Sequence, residues 1–517
     1  MIKSSVRYSI SDRVRDMIED NNQILLVLNR FHIPQMTDWR RQHRISSLAA
    51  VALLVVFCLS GLVLNHRSLT ESVDVPSWLL TPYYTHARWD LGLMRGTCEV
   101  GDSVVIYGAS GMWRCDRRGA GIADFNAGLP ANSSARYIIS MEKREDGTLL
   151  ALAPGALYAM PRGSRVWRRM PLTSDERFSD MTLAGDSIVV TGRSHVYVSA
   201  EGASGPFRRI ALGAPQEEGF GRPTLFRTVW MLHSGELFGL PGRLVVDGVA
   251  LIFLLLTVTG LLMWMLRRRI SRKRAVGLPP GADGRRYGRN LRLHRRVGTA
   301  TIVLTVLVAF SGWLLRPPFL VALVNVRTAA VPGTAQDSDN PWHDKLRALR
   351  QDGRVGWILH TSEGFFSLDS LAGVPERMEG APPVSVMGLN VFRPGDDGEW
   401  LVGSFSGLYR WNPATGSATD WFTGEKAPDG PQPPFGNKAV AGYSEHWGDG
   451  PAVVLYDSGT DAVPQPESLR RMPMSLWQYA LEAHTGRLFF GNIATWFYVL
   501  LAGAVILWSV FTGYRRR

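Results

Sequence analysis

The sequence predicts a membrane protein with four transmembrane α-helices, derived from an internal duplication, and two large outer β-rich loops that together form a β-propeller. Three observations carry this. The apolar residues gather in four separated runs, 45–64, 244–266, 297–315 and 490–511, each long enough at 1.5 Å per residue to cross about 30 Å of hydrocarbon. Arginines crowd one end of every run, and short motifs recur at one fixed offset of 251 residues. The averages conceal this pattern: the 517 residues are 45% hydrophobic and 20% charged, with a mean hydropathy of -0.02. Buried helices of a soluble enzyme would rarely run about 20 residues nearly free of charge.

Taken in order, residues 1–38 read as a cytosolic helical preface. Ser11-Asp12 is its cap, Val14, Met17, Ile18, Leu25, Leu26 and Leu28 form its apolar face, and Pro34 stops it. Residues 39–66 are the first span, opened by Arg40, Arg41 and Arg44, and 67–232 the first outer half. Residues 233–269 hold the second span, closed by Arg267, Arg268 and Arg269, and 270–290 form a basic cytosolic connector. Residues 291–316 are the third span, entered past Arg292, Arg295 and Arg296. The second outer half is 317–483, and 484–517 are the fourth span with its tail Arg515, Arg516 and Arg517. Basic residues flanking spans stay in the cytosol, so both termini and the connector lie inside and the two long loops outside. In a two-membrane cell this places the chain in the inner membrane with periplasmic loops. The first run is too long for the apolar region of a cleaved signal and reads as a retained anchor.

The net charge of +12 follows the same division. Residues 1–44 carry eight basic and five acidic side chains, 267–296 twelve and one, and 515–517 three and none, so these segments hold +17 and the rest of the chain −5. A pI near 9.8 is therefore a positive-inside signature, and nucleic acid is excluded as a partner while membrane lipid is expected.

The duplication is read from paired motifs. Arg41-Gln-His-Arg44 opens the first span and Arg292-Leu-His-Arg295 the third; Ser60-Gly61 recurs as Ser311-Gly312; His233-Ser-Gly-Glu-Leu-Phe238 recurs as His484-Thr-Gly-Arg-Leu-Phe489. Each copy is helix, outer domain, helix, a construction that places sites at the repeat interface. Within the outer halves, short β-rich runs follow Gly/Asp turns at 101–107, 146–152, 185–190, 353–359, 398–402 and 450–456, most with a second run close behind. Their spacing of about 40 to 50 residues suits propeller blades, roughly three per loop; two separate β-sandwiches are the alternative. Cys98 and Cys115 flank the first hairpin on the outer side, and a cross-strand disulfide is expected there. Cys58, within the first span, reads as a small buried apolar residue.

Five of the eleven histidines stand at ends of spans: His43, His66, His233, His294 and His484. The repeat sorts them. His43 and His294 share the inner end and His233 and His484 the outer end, whereas the repeat counterpart of His66 is Pro317, leaving His66 as an interfacial residue or an alternative outer ligand. Two facing histidines in a helical bundle ligate a b-type haem from both sides and leave no open iron position, which favours electron transfer. Four such histidines imply two b haems, one per leaflet, and an electron path across the membrane. The haem carboxylates would meet Arg44, Arg292, Arg295 and Arg296 at the inner pair and Arg243 and Arg487 at the outer pair. Asp247 is the one acid inside a span and reads as an interfacial carboxylate or a proton relay. No phosphate loop, nicotinamide fingerprint, zinc spacing or Ser-His-Asp set is found, so chemistry would depend on a cofactor.

The string His233-Ser-Gly-Glu-Leu-Phe-Gly-Leu-Pro-Gly-Arg243, followed by a leucine-rich span ending Thr259-Gly-Leu-Leu-Met-Trp264 and an arginine run, closely resembles the PepSY-associated transmembrane helix family. The openings Arg41-Gln-His-Arg44 and Arg292-Leu-His-Arg295 are similar to the starts of its other helices. Members include inner-membrane ferric-siderophore reductases that bind two b haems through helix-border histidines. The resemblance thus implies haem iron ligands at His43, His233, His294 and His484, and a haem-dependent enzyme. Electrons would come from a cytosolic or quinol donor and pass to a ferric siderophore or other iron chelate outside. Two departures stand out: members commonly carry small α/β modules outside rather than β-blades, and His484-Thr-Gly-Arg-Leu-Phe-Phe-Gly-Asn492 lacks the Leu-Pro-Gly continuation. The competing expectation is a membrane-anchored β-propeller that binds or assembles a partner without redox activity, and a transporter comes third.

Overall fold

The computed structural model describes residues 39–515 except 201–204, 218, 325, 386, 430–437, 448–449 and 491. The expected preface at 1–38 lies outside the described residues, as do Arg516 and Arg517. The chain divides into two compact units: Met1–Val55 with Leu251–Trp313 and Leu500–Arg517, and Val56–Ala250 with Leu314–Val499.

Among the described residues, three helices are long and apolar enough to cross a membrane: α1, Trp39–Asn65; α3, Gly239–Ala275, entered through a 3-10 turn at Glu236–Phe238; and α7, Asn492–Arg515. Between them stands a bent pair, α4 (Gly281–Ala300) and α5 (Ile302–Leu314), which turns by 66° where a single straight third span was expected. The sequence supplies the reason. At the break, Thr301 leaves helical geometry (φ −109°, ψ 7°), its hydroxyl donates back to the Val297 carbonyl at 2.9 Å, and Thr305 does the same to Thr301 at 3.1 Å. Hydroxyls bonding back into the ladder bend helices, and Thr301, Ile302 and Val303 are a β-branched run that packs poorly there. The basic connector is also shorter than the sequence suggested. Helix α3 carries the basic run on to Ala275 and α4 starts at Gly281, with Lys273 and Asp283 paired at 2.7 Å across the turn.

The second unit holds the β structure. Five four-stranded antiparallel sheets span 96–124, 140–169, 178–210, 346–377 and 391–420, and a two-stranded sheet spans 440–455. Each is a meander of sequential strands, and each of the six turn-led runs read from the sequence supplies the second strand of one sheet. Leu149–Ala153 and Ala156–Met160 stand at the 251 offset from the starts of Trp400–Ser404 and Gly407–Asn412.

The sheets are stacked face to face, which the run Leu149-Leu-Ala-Leu-Ala153 makes plain. All five residues are buried, but the period of two sends Leu149, Ala151 and Ala153 into a core shared with the first sheet and Leu150 and Leu152 into one shared with the third. Each fully buried leucine contributes about 2 kcal/mol. The same division recurs in the fourth sheet, where Leu349, Leu359 and Phe366 face the third sheet while Ala348, Ile358 and Phe365 face the fifth. The last sheet returns to the first: Val104, Ile106 and Trp113 share a core with Ala452 and Val454, and Tyr443 donates its N–H to the Arg95 carbonyl at 3.2 Å. Residues 88–91 run beside 456–460, with Leu91 N–H donating to the Tyr456 carbonyl and Thr460 N–H to the Arg88 carbonyl, both at 2.7 Å.

That stacking overturns the expected disulfide. Cys98 pairs with Val105 and Cys115 with the neighbouring Val104, so the two thiols sit on opposite faces with a strand between them, one in the core facing the second sheet and the other in the core facing the last. Both cysteines are free. Burial pushes the Cys98 thiol up to about 12 and that of Cys115 to about 11, as for inert structural thiols.

Candidate functional site

The four histidines singled out by the repeat come together as two pairs. In the first unit, His43 in the second turn of α1 and His294 on α4 have ring centroids 6.2 Å apart at 62°. In the second unit, His233 and His484 stand 6.2 Å apart at 53°. The latter two ride on short helices the sequence reading did not resolve, α2 (Leu225–Ser234) and α6 (Leu476–Thr485). These are repeat copies in length and in both caps: capped by Thr224 and Ser475, whose hydroxyls accept the Arg227 and Gln478 N–H groups at 3.2 Å, and ended by Gly235 and Gly486 at φ +81° and +83°. The motif His-Ser/Thr-Gly is therefore a helix C-cap that fixes where the histidine stands. Glycine is required at both positions, since a Cβ on Gly486 would come 2.4 Å from the Tyr498 ring and one on Gly235 2.3 Å from the Gly242 carbonyl oxygen.

Hydrogen bonds fix the tautomers. His43 Nδ1 donates to the Ser509 carbonyl at 2.9 Å. His294 Nδ1 lies 2.8 Å from Thr259 Oγ1, whose own proton goes to the Leu255 carbonyl at 2.8 Å, so the hydroxyl accepts from the ring. His484 Nδ1 lies likewise 2.8 Å from Ser60 Oγ, which donates to the Val56 carbonyl at 2.6 Å. In all three rings Nδ1 carries the proton and Nε2 the lone pair, the state of a histidine that ligates a metal through Nε2. Bonds of about 2.0 Å from each nitrogen to one metal ion place two opposed ring centres roughly 6 Å apart, which both pairs match. Among the described residues no three His, Cys, Asp or Glu side chains gather, so each pair offers two protein ligands and suits a metal that brings its own equatorial set.

A cavity of about 280 Å³ adjoins the inner pair, lined by His43, His294, Arg40, Arg44, Arg267, Arg295 and Tyr287 at its polar parts and by Leu54, Phe253, Leu256 and Leu261 elsewhere. A flat apolar ring bearing carboxylates fits such a lining. Of the four inner arginines expected here, Arg44 and Arg295 line the cavity and Arg292 and Arg296 do not; Arg40 and Arg267, read from sequence only as topology signals, do.

At the outer pair, Phe57 packs edge-on to His484 at 5.3 Å. Arg487, expected to meet a haem carboxylate, is instead committed to the buried Glu482, which accepts from its Nε and Nη2 at 2.8 Å and from the Tyr84 hydroxyl at 2.8 Å. Arg243 keeps a buried Nε with no hydrogen-bond partner among the described residues, as an arginine awaiting an anion would. Arg316, which the sequence reading passed over, lies within electrostatic reach of His484 and Arg487 and has no ion-pair partner among the described residues. His66 is not part of the pair: its Nε2 meets Asp247 at 2.9 Å, and Asn65 donates to the same carboxylate at 2.9 Å, so Asp247 is a buried interhelical anchor.

The apolar helices and paired border histidines thus define a membrane-integral protein with a β-rich domain. Within it, residues 26–267 match the PepSY-associated TM region. Among curated proteins no match was found. Solved structures similar to the chain include the extracellular domain of the one component system BT4673 from B. thetaiotaomicron (9% identity, TM-score 0.32, covering 71% of this chain and 30% of that one). Others are YCF48 from Cyanidioschyzon merolae (12%, 0.17, 21% and 42%) and the N-terminal domain of Nup159 (10%, 0.19, 28% and 40%). The chain therefore spans well under half the length of each of these solved chains.

Proposed function

We propose that the chain is an inner-membrane ferric reductase carrying two b haems, with cytosolic termini, four spans counting the bent α4–α5 pair as one, and a six-bladed periplasmic β-propeller. The observation that carries the reading is the doubled histidine pair, each at 6.2 Å, with Nδ1 anchored and Nε2 left as the lone-pair nitrogen in His43, His294 and His484. A haem held by two histidines supplies one-electron transfer and leaves no open position for oxygen chemistry. The residues of the chain do the rest. Thr259, Ser60 and the Ser509 carbonyl hold the imidazoles in one tautomer, Arg40, Arg44, Arg267 and Arg295 receive carboxylates at the inner pair, and Arg243 and Arg316 do so at the outer pair. The cyclic order of six stacked sheets supports the propeller. Its role in this reading is to hold a ferric chelate, such as a ferric siderophore, outside the membrane. Reduction to ferrous iron weakens binding by hard oxygen donors, so electron delivery alone releases the metal.

The test is a reduced-minus-oxidised absorption spectrum of the purified chain beside His43→Ala, His233→Ala, His294→Ala and His484→Ala. Low-spin b-haem bands in the wild type, halved in each variant, are expected. A properly folded protein without these bands would sink the reading and leave a membrane-anchored binding or assembly protein in its place.

A further inference from the structure

At the hub of the six sheets, where their first strands meet, is a cavity of about 60 Å³. Four arginines line it: Arg95, Arg347, Arg350 and Arg393. Two are neutralised. Arg350 pairs with Asp180 through both terminal nitrogens, and Arg393 pairs with Glu445. The other two are not. Arg95 donates to the Tyr137 hydroxyl at 3.3 Å and the Leu389 carbonyl at 2.7 Å, and Arg347 gives one terminal nitrogen to the Asp344 and Leu346 carbonyls at 2.9 and 2.8 Å. Neither has a carboxylate partner among the described residues, and neither Nε nor Nη2 of Arg347 makes a hydrogen bond there. Burial, then the charges of Arg193 and Arg227, penalise the Arg347 cation, and the more distant carboxylates of Asp344 and Glu363 offset this only in part. Two half-buried guanidinium groups on one cavity, neither with a carboxylate in direct contact, gain from an anion that completes their hydrogen bonding.

We propose that this hub cavity is an oxyanion site, taking one carboxylate or phosphate group of a small anion between Arg347 and Arg95. A water occupies about 30 Å³ of liquid, so the space suits a group of a few heavy atoms. Guanidinium forks match the two oxygens of such a group. The site is independent of the haem reading, because it needs no cofactor and no electron.

Isothermal titration of the full chain in detergent with sodium phosphate and with citrate, at fixed ionic strength in chloride, tests it. Binding of at least one is expected, weakened about tenfold or more by Arg347→Gln and by Arg95→Gln. Tighter binding of phosphate identifies free phosphate as the source, and tighter binding of citrate identifies a carboxylate ligand. Mapping phenylglyoxal modification by mass spectrometry requires no variant: the bound anion should shield Arg347 while exposed Arg162 reacts as before. Absence of binding by both anions, affinity unchanged in both variants, or no shielding of Arg347 would each overturn the site.

Discussion

The hydroxyl of Thr259 offers the sharpest handle on the inner pair. Thr259→Val keeps the branched shape and removes only the oxygen that accepts from His294 Nδ1 at 2.8 Å. The half-buried imidazole then loses the hydroxyl partner that sets its tautomer and angle. Outer-shell partners of this kind are worth 10- to 100-fold in metal affinity, or about 1.4–2.8 kcal/mol. The helix hardly suffers, because the bond from Thr259 to the Leu255 carbonyl is a local one that valine does without. The substitution leaves Ser60, the corresponding partner of His484, in place. The assay is transfer of haem from the purified protein to an excess of an apo haem-binding acceptor, followed by absorbance. Wild type should lose both haems slowly, whereas Thr259→Val should show a biphasic course with about half of the haem leaving 10- to 100-fold faster. A course for Thr259→Val identical to that of the wild type would refute the reasoning, since the hydroxyl would then have no part in holding His294 as a ligand.

Two further outcomes follow from the geometry. Gly486→Ala places a methyl 2.4 Å from the Tyr498 ring at φ +83°, so α6 must shift, and the thermal midpoint should fall, by a destabilisation of about 1–2 kcal/mol or more, together with a changed haem spectrum. Gly277→Ala, also at positive φ but in open space, should cost about 1 kcal/mol and leave the spectrum unaltered. The second concerns pH. Burial, with Asp180 adding to it against the opposing charges of Arg350 and Arg393, raises the Glu142 carboxyl from 4.5 to about 6. Between those values the unfolded chain releases a proton that the folded chain keeps, so this group lowers stability as pH rises through 4.5–6, by about 2 kcal/mol once pH 7 is reached. Glu142→Gln should flatten the dependence of the melting midpoint over that window and raise the midpoint at pH 7; an unchanged slope would dismiss the assignment.

What the sequence discloses about this fold depends on whether a feature is local or shared between distant strands. The six turn-led runs were visible because Gly101, Gly147 and Gly185 sit at positive φ in tight turns and the following residues alternate or run apolar. Leu149-Leu-Ala-Leu-Ala153 looked like an undifferentiated apolar run because both faces of its sheet are covered, and only the neighbours show which leucine belongs to which core. The cysteines illustrate the cost of reading a hairpin without its faces. Position alone placed them close, but register separates them, since Val104 and Val105 point opposite ways.

The histidine pairs were legible for a different reason. A repeat at constant offset carries symmetry information that a single histidine lacks, and it pairs His43 with His294 and His233 with His484 from sequence alone. What the offset does not carry is the surroundings of each ring, because the two copies diverge there. Ser60 stands out in sequence as half of a repeated Ser-Gly pair, and it proves to hold His484, whereas the partner of His294 is Thr259, which sequence shows only as one of a few threonines within the spans. His43 is anchored by the Ser509 backbone carbonyl, which no side-chain pattern can announce. The same limit explains Arg487: the repeat sets it beside the outer pair, but Glu482, five residues earlier in chain order and buried on α6, claims the guanidinium first. Duplication therefore preserved the paired histidines and the caps that position them, while the groups that hold each ring differ, so the two proposed haem sites should differ in affinity rather than be two copies of one site.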